Sequence, residues 1–407
     1  NVGSFSNLHD WDHYREFLSS DLSKKIKKPI KIMPSYGEFN EIAVDNEINN
    51  LKNYFDVRTI YFSNETTSIY RDIKSLFTNS NKKSETKLKE EIYDFNPDIA
   101  YVHNTWYKGS LGVFKVLQET NVKTVLKLHN FRYSCTKSFF SSEHLKKNKI
   151  CLACGYTKKP FGFINKYFQE SFLKSFLVLI YGRKYFKIIK NENLKLFVLT
   201  NYHKEFLFNE NIRKNNVEVV PNYFKIKNNN PKNKKEKYLV YAGRISEEKG
   251  VEELIQSFLN CNFDDINLKI IGNGPILKKL TNNYKYEKVE FLGEKQNTEV
   301  KEIISNSMAV VTATKLLEGQ PTLLCEASFL GVPSVFPLTG GISEFFPEDY
   351  SLAFQQFDYK DLERKLMLLN DPTMLEDYSK KNKQFILNYL DENKMIKTFE
   401  KALKENE

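Results

Sequence analysis

Cysteine is scarce in this chain, five in 407 residues, which excludes a disulfide scaffold, since such folds need a denser set in a far shorter chain. Long apolar runs are missing too. The longest candidate, residues 172–181, is interrupted by Lys174 and Ser175 and falls short of the roughly 20 apolar residues of a membrane span. Zinc-finger, helix-turn-helix and RNA-recognition signatures are absent, so the formal net charge of +10 has no nucleic-acid module to serve and no nucleic-acid partner is expected. The excess is mostly lysine among asparagine, which suits anionic lipid or small anionic ligands equally well. The first residue is Asn1 rather than Met, so the lack of a signal peptide is weak support for the cytoplasm. What is present is a globular composition, 41% hydrophobic, in a length suited to two or three domains.

From residue 29 short apolar runs alternate with helical stretches. The runs at 30–33, 57–62, 99–102, 125–128 and 194–199 precede a polar, lysine-rich stretch that ends at residue 237. A second series follows at 238–244, 268–271, 289–292, 308–313, 334–336 and 352–354. Continuous rather than alternating apolar runs read as parallel strands buried on both faces, and strands alternating with helices give an α/β, doubly wound sheet. The expected division is an N-terminal extension (1–28), a first domain (29–222), a linker (223–237), a second domain (238–385) and a C-terminal helix (386–407). Asp10 and Asp12 form an Asp-x-Asp with no strand before it, so they read as part of a solvated helix.

The most informative stretch is Glu318-Gly319-Gln320-Pro321-Thr322-Leu323-Leu324-Cys325-Glu326-Ala327. It follows the apolar run 308–313; Pro321 falls where a first helical position belongs and Gly331 where the helix should stop. Glu318 then lies in a loop, with Glu326 about one and a half turns into the helix. A helix N-terminus offers unpaired N–H groups and positive partial charge, so Gly319, Gln320, Pro321 and Thr322 frame a seat for an anionic group. Two acids beside such a seat are better read as hydroxyl acceptors, which suits a nucleotide-bound sugar. Taken alone, the pair is equally a loop acid and a helix-surface acid at a coincidental spacing.

The stretch EGQPTLLCEASFLGVPSV resembles the E-x7-E signature of the retaining glycosyltransferases of family 4. The resemblance extends to Gly243-Arg244 with Lys249-Gly250, to Gly272-Asn273-Gly274-Pro275 and to Phe291-Leu292-Gly293. The first half is similar to a bacterial surface-polysaccharide subgroup of that family. It carries Gly37-Glu38, Asn46-Glu47-Ile48, Val102-His103-Asn104, Leu128-His129-Asn130 running to Cys135, and Cys151-x2-Cys154. It departs from the subgroup where Tyr36 replaces the first glycine of a pair, which touches the phosphate-contacting loop at Gly37.

The resemblance implies a GT-B fold, two Rossmann-like domains facing a central cleft, with the last helix crossing back to the first domain. It implies transfer of a sugar from a nucleoside-diphosphate donor, with retention, to a glycan or lipid-linked saccharide acceptor, and no required cofactor or active-site metal. Arg244 and Lys249 would contact the donor diphosphate, Glu318 the sugar hydroxyls and Glu326 the ribose, while His129, and second to it His103, would meet the donor from the first domain. Gly243, Asn273 and Gly274 would let backbone approach the donor. The pathway implied is capsule, O-antigen or exopolysaccharide synthesis, in the cytoplasm or at the inner face of the plasma membrane.

Several readings stay open. Each histidine also reads as locally hydrogen-bonded at a strand end. Cys135, Cys151 and Cys154 have a zinc-ligand spacing, and read also as a reduced packing cluster or a local disulfide. The aromatic and lysine-rich stretch 161–190 is an ordinary helical core face or a contact with an anionic membrane. At the level of function, a sugar-nucleotide epimerase or hydrolase of the same fold and a silent nucleotide-sugar-binding scaffold are the alternatives.

Overall fold

The structure, a computed structural model, describes residues 30–34, 38–62, 78–103, 110–131, 171–223 and 235–404. Gly37, Cys135, Cys151, Cys154 and the N-terminal extension lie outside these residues. The first domain runs β1 (Ile30–Pro34), α1 (Glu38–Leu51), β2 (Arg58–Phe62), α2 (Lys82–Phe95), β3 (Ile99–Val102), α3 (Gly112–Glu119), β4 (Lys123–Leu128), α4 (Phe172–Ile189), β5 (Lys195–Val198), α5 (Asn201–Asn209) and β6 (Val217–Val219). The second runs β7 (Tyr238–Ala242), α6 (Val251–Asn260), β8 (Asn267–Ile271), α7 (Leu277–Asn283), β9 (Val289–Gly293), α8 (Asn297–Asn306), β10 (Ala309–Val311), α9 (Thr322–Phe329), β11 (Ser334–Leu338), β12 (Ala353–Gln355), α10 (Tyr359–Met367) and α11 (Pro372–Tyr389). A last helix, α12 (Glu392–Lys404), follows.

The strands form two six-stranded sheets, in the orders β2-β1-β3-β4-β5-β6 and β12-β11-β10-β7-β8-β9. The pairings are parallel, as the unbroken apolar runs required. β3 and β5 are buried along their whole length, because helices cover both faces of a parallel sheet. In the second sheet the chain winds from β7 through β8 to β9, then returns to place β10 on the other side of β7. That reversal opens a crevice beyond the carboxyl ends of β7 and β10, where doubly wound sheets bind ligands. In the first sheet the reversal lies between β1 and β3.

Period-2 alternation sorts the first sheet into two cores. Ala100, Val102, Leu126, Leu128, Leu196 and Val198 pack on one face. On the other, Ile99, Tyr101, Val125 and Phe197 meet Leu51 and Phe55 near the end of α1, and Met395, Ile396 and Phe399 of α12. The last helix thus completes the first domain, with Phe399 edge-on to Tyr101 at 5.2 Å between ring centroids. It begins at Glu392 rather than at 386, because α11 continues to Tyr389 and the Asp391 carboxylate then caps a new start by accepting from Lys394 N at 2.9 Å.

Two other boundaries shift. The run 308–313 gives a strand of only three residues, Ala309–Val311, since the chain peels away to form the loop carrying Glu318. Pro321 has ψ 84°, outside the helical range, so it caps α9 instead of opening it. Gly331 does end that helix, left-handed at φ 67°, where glycine carries no Cβ penalty.

Candidate functional site

The crevice is built from four strand ends. After β7, Tyr241 donates its hydroxyl proton to the Arg244 carbonyl oxygen at 2.8 Å; burial, then the charges of Glu318 and Glu248, push that hydroxyl's pKa well up, so it stays a donor. Ile245 N donates to Asn273 O at 2.8 Å, joining the β7 loop to the β8 loop. The approach is close: a Cβ on Gly272 would stand 1.9 Å from Gly243 O, and one on Gly274 2.1 Å from Ile245 O. The glycines are therefore required by backbone packing alone. Gly250, at φ 66°, seats its turn on β10's exit, where a Cβ would lie 2.0 Å from Ala313 O. That contact fixes the preceding Lys249.

Lys249 Nζ reaches Glu318 Oε1 at 2.6 Å, and Thr314 Oγ1 donates to the same oxygen at 3.1 Å. Burial opposes ionisation of Glu318, but the Lys249 charge and the two hydrogen bonds outweigh it and hold its pKa below the ordinary value. The loop itself is tied down. Gly341 N donates to Glu318 O at 3.0 Å, Thr339 Oγ1 donates to Leu316 O at 3.1 Å, and Gln356 Nε2 donates to the Thr314 and Leu316 carbonyls, each at 3.2 Å. The segment 339–341 is thus a clamp on the Glu318 backbone; Gly340, at φ 57°, has room for no Cβ against Glu318 O.

Glu326, on α9, lies 3.6 Å from Lys301 Nζ of α8. Burial raises its pKa and Lys301 only partly offsets this. The two acids of the motif are therefore shifted in opposite directions. Arg244 is exposed and makes no ion pair with any described residue, whereas Lys249 is neutralised by Glu318.

The first domain supplies the facing wall. His103 Nδ1 and His129 Nε2 are 2.9 Å apart, so one ring donates to the other. His103 is 2% exposed and lies behind His129. They project from the same sheet face as Tyr101 and Lys127, where Lys127 Nζ and Glu47 Oε2 form a buried ion pair at 3.0 Å and Tyr101 donates to Glu47 at 2.7 Å. The halves meet at Gly319, whose Cβ position would be 3.9 Å from His129 O and 3.6 Å from Leu199 Cδ1.

Gln320, expected at the anion seat, has a side chain committed to the domain crossing. Its side chain bridges the domains, Nε2 donating to Asn222 O at 2.9 Å and Oε1 accepting from Asn222 N at 2.6 Å. Both backbone groups are satisfied at the crossing, which explains why an amide stands there. Thr322 is exposed at the start of α9, and Asn273 is exposed with Oδ1 accepting from Gly274 N at 2.7 Å.

Sequence reasoning missed Thr314, His203 and Glu344. Thr314 stands four residues before Glu318, directly after an apolar run. His203 is preceded by Thr200 at the end of β5, a cap signal, and Thr200 Oγ1 accepts from His203 N at 3.1 Å. Burial, then the charge of His129, drives the His203 pKa down to about 3, so it is neutral. Glu344 carried no local signal. No group of three or more potential metal ligands occurs among the described residues, and none of their helices is long and apolar enough to cross a membrane.

Residues 222–385 match the family model of glycosyl transferases group 1. No curated protein sequence matches the chain. Among solved structures, Anabaena Alr3699/HepE, in complex with UDP and glucose, superposes with a TM-score of 0.65 at 12% identity, covering 93% of this chain and 100% of its own. Sucrose-phosphate synthase from Thermosynechococcus elongatus gives 0.65 at 13%, covering 92% and 99%. S. aureus TarM gives 0.57 at 17% over 79% of this chain, which spans only 58% of TarM. The fold is GT-B. In a GT-B protein the crevice beyond β7 and β10 faces the first domain, as Gly319 against His129 does here.

Proposed function

We propose that this protein is a family 4-type retaining glycosyltransferase that moves a sugar from a nucleoside-diphosphate donor to the hydroxyl of a glycan or lipid-linked saccharide. The observation that carries the reading is the Lys249–Glu318 pair at 2.6 Å in the topological crevice of a domain matching the glycosyl transferases group 1 model. Arg244 and Lys249 bring positive potential to a diphosphate leaving group, in the manner of preorganised charge stabilisation. The β7 and β8 loops, with Gly243, Asn273 and Gly274, supply backbone at close range, and the α9 entrance adds the N–H groups of Gly319 and Thr322 on either side of Pro321, which has no N–H and shapes the turn. Glu318, kept ionised, accepts from sugar hydroxyls; Glu326 accepts from the ribose. His129 meets the sugar from the opposite wall.

With no enzyme nucleophile assigned, the reaction is a front-face displacement in which the leaving phosphate helps deprotonate the acceptor, and cationic side chains take the place of a metal. The setting is bacterial capsule, O-antigen or exopolysaccharide synthesis on the cytoplasmic side, with peripheral contact at an anionic membrane. UDP in the HepE structure makes UDP-sugars the first donors to try. The test is calorimetric titration of UDP, GDP, ADP and their sugars, with and without EDTA, into wild type and Glu326→Ala. Selective, EDTA-insensitive binding that weakens in the variant supports the reading; no binding by any nucleotide overturns it.

A further inference from the structure

Helix α5 starts at the first domain's face of the cleft, and its N-terminal donors are completed by the second domain. Thr200, its cap, satisfies His203 N, leaving the N–H groups of Asn201 and Tyr202. Both are taken by Glu344, which lies in the 3-10 turn Ile342–Phe345 of the second domain. Oε2 accepts from Asn201 N at 2.7 Å and from Asn201 Nδ2 at 3.0 Å, and Oε1 accepts from Tyr202 N at 2.7 Å. A carboxylate spanning two helix-terminal N–H groups combines charge-assisted hydrogen bonds with the favourable end of the helix dipole.

Two further observations make the contact specific. On α11, burial and then the charge of the Glu344 carboxylate raise the pKa of the Tyr389 hydroxyl. Gly341 lies so close to the first domain that a Cβ would stand 2.5 Å from Thr200 Cγ2. The same short segment that carries Glu344 also holds Glu318, through Gly341 N to Glu318 O at 3.0 Å and Gly340 packed on that carbonyl.

We propose that Glu344 is a closure latch and a positioning residue: it docks on the N-terminus of α5 when the domains close, and through Gly340 and Gly341 it sets the backbone of Glu318 in that state. The proposal rests on the donor-site reading only where it makes Glu318 a sugar contact. When the domains part, Asn201 and Tyr202 lose their acceptor and the 339–341 clamp loses its outer anchor.

The test compares wild type, Glu344→Ala and Asn201→Pro by amide hydrogen exchange and small-angle scattering without any ligand. Asn201→Pro removes one N–H at a first helical position, which proline tolerates, after a Thr200 already extended at φ −148° and ψ 157°. Both variants should exchange about tenfold faster in residues 199–204 and 314–321 and scatter as a more open molecule, and the double variant should add little to either. Unchanged exchange and scattering overturn the latch; faster exchange confined to 199–204 overturns the link to Glu318. With a bound UDP-sugar as probe, the variants should raise KM about tenfold with kcat nearly kept, since saturating donor restores the closed form. A fall in kcat at constant KM also overturns the latch. A latch seen by exchange in a protein that binds no nucleotide sugar leaves this proposal standing and removes the donor reading instead.

Discussion

Lys249 Nζ and Glu318 Oε1 lie 2.6 Å apart although 69 residues separate them in the chain. In this arrangement the cation that would meet a diphosphate is already engaged by the acid that would meet the sugar. On the proposed function, an incoming donor would exchange one anionic partner of Lys249 for another and free Glu318 for hydroxyls. Lys249→Met should therefore cut turnover about 100- to 1,000-fold while lowering the melting temperature only modestly, because the pair is partly exposed and such pairs add little to stability. Steady-state kinetics beside a thermal melt decides this, and full activity would remove Lys249 from the site.

The two acids of the motif should respond to pH with opposite signs. Glu318 has a lowered folded pKa, so its contribution to stability is present above the ordinary carboxylate pKa and is lost as pH falls through the lowered value. Glu326 has a raised one, so its ionisation weakens the fold as pH climbs from the ordinary value through the raised one. At pH 7 Glu318→Gln should melt below wild type and Glu326→Gln above it, both differences shrinking toward strong acid. Melting curves from pH 3 to 8 test this, and differences independent of pH would count against both assignments.

At the β7–β8 junction, Gly272→Ala and Gly274→Ala each force a methyl group to within about 2 Å of a carbonyl oxygen. The loops must separate, breaking the Ile245 N to Asn273 O bond. A loss of roughly 2–4 kcal/mol is expected, with nucleotide binding abolished. Chemical denaturation and calorimetry measure the two effects, and wild-type binding in either variant would contradict the close approach.

Behind the histidines, Glu47→Gln should lose about 3–5 kcal/mol, since it strands the ammonium of Lys127 in an apolar core. Burial already lowers the Lys127 pKa, with Glu47 acting to raise it. The triple variant Glu47→Leu, Lys127→Met and Tyr101→Phe removes the pair together with the hydroxyl that bonds to it, and should recover most of that loss. Urea titrations of both variants test this; a triple variant no more stable than the single one would show that the pair has no apolar substitute.

Much of the fold was legible because a buried parallel strand is an unbroken apolar run, a property of a few adjacent residues. Residues 99–102, 289–293 and 334–338 appear as strands at or near their expected places. Glu318, Lys249, Gly243 and Gly274 drew notice through the motifs they stand in, and all four lie in segments that follow β7, β8 or β10. The Gln320 side-chain contact was not legible, because nothing near it in sequence reveals Asn222 as its partner.

The sequence by itself determined the two doubly wound sheets, the crevice between β7 and β10, and the residue types brought to it, through steric and apolar patterning that acts over a few residues. Only the tertiary structure decided which side chains pair across the chain: Lys127 with Glu47, 80 residues apart, Asn222 with Gln320, 98 apart, and Glu344 with the start of α5, 143 apart. A hydrogen bond or ion pair depends on position in space to within a fraction of an ångström, and that position is fixed only once both sheets have packed and the last helix has closed over the first domain.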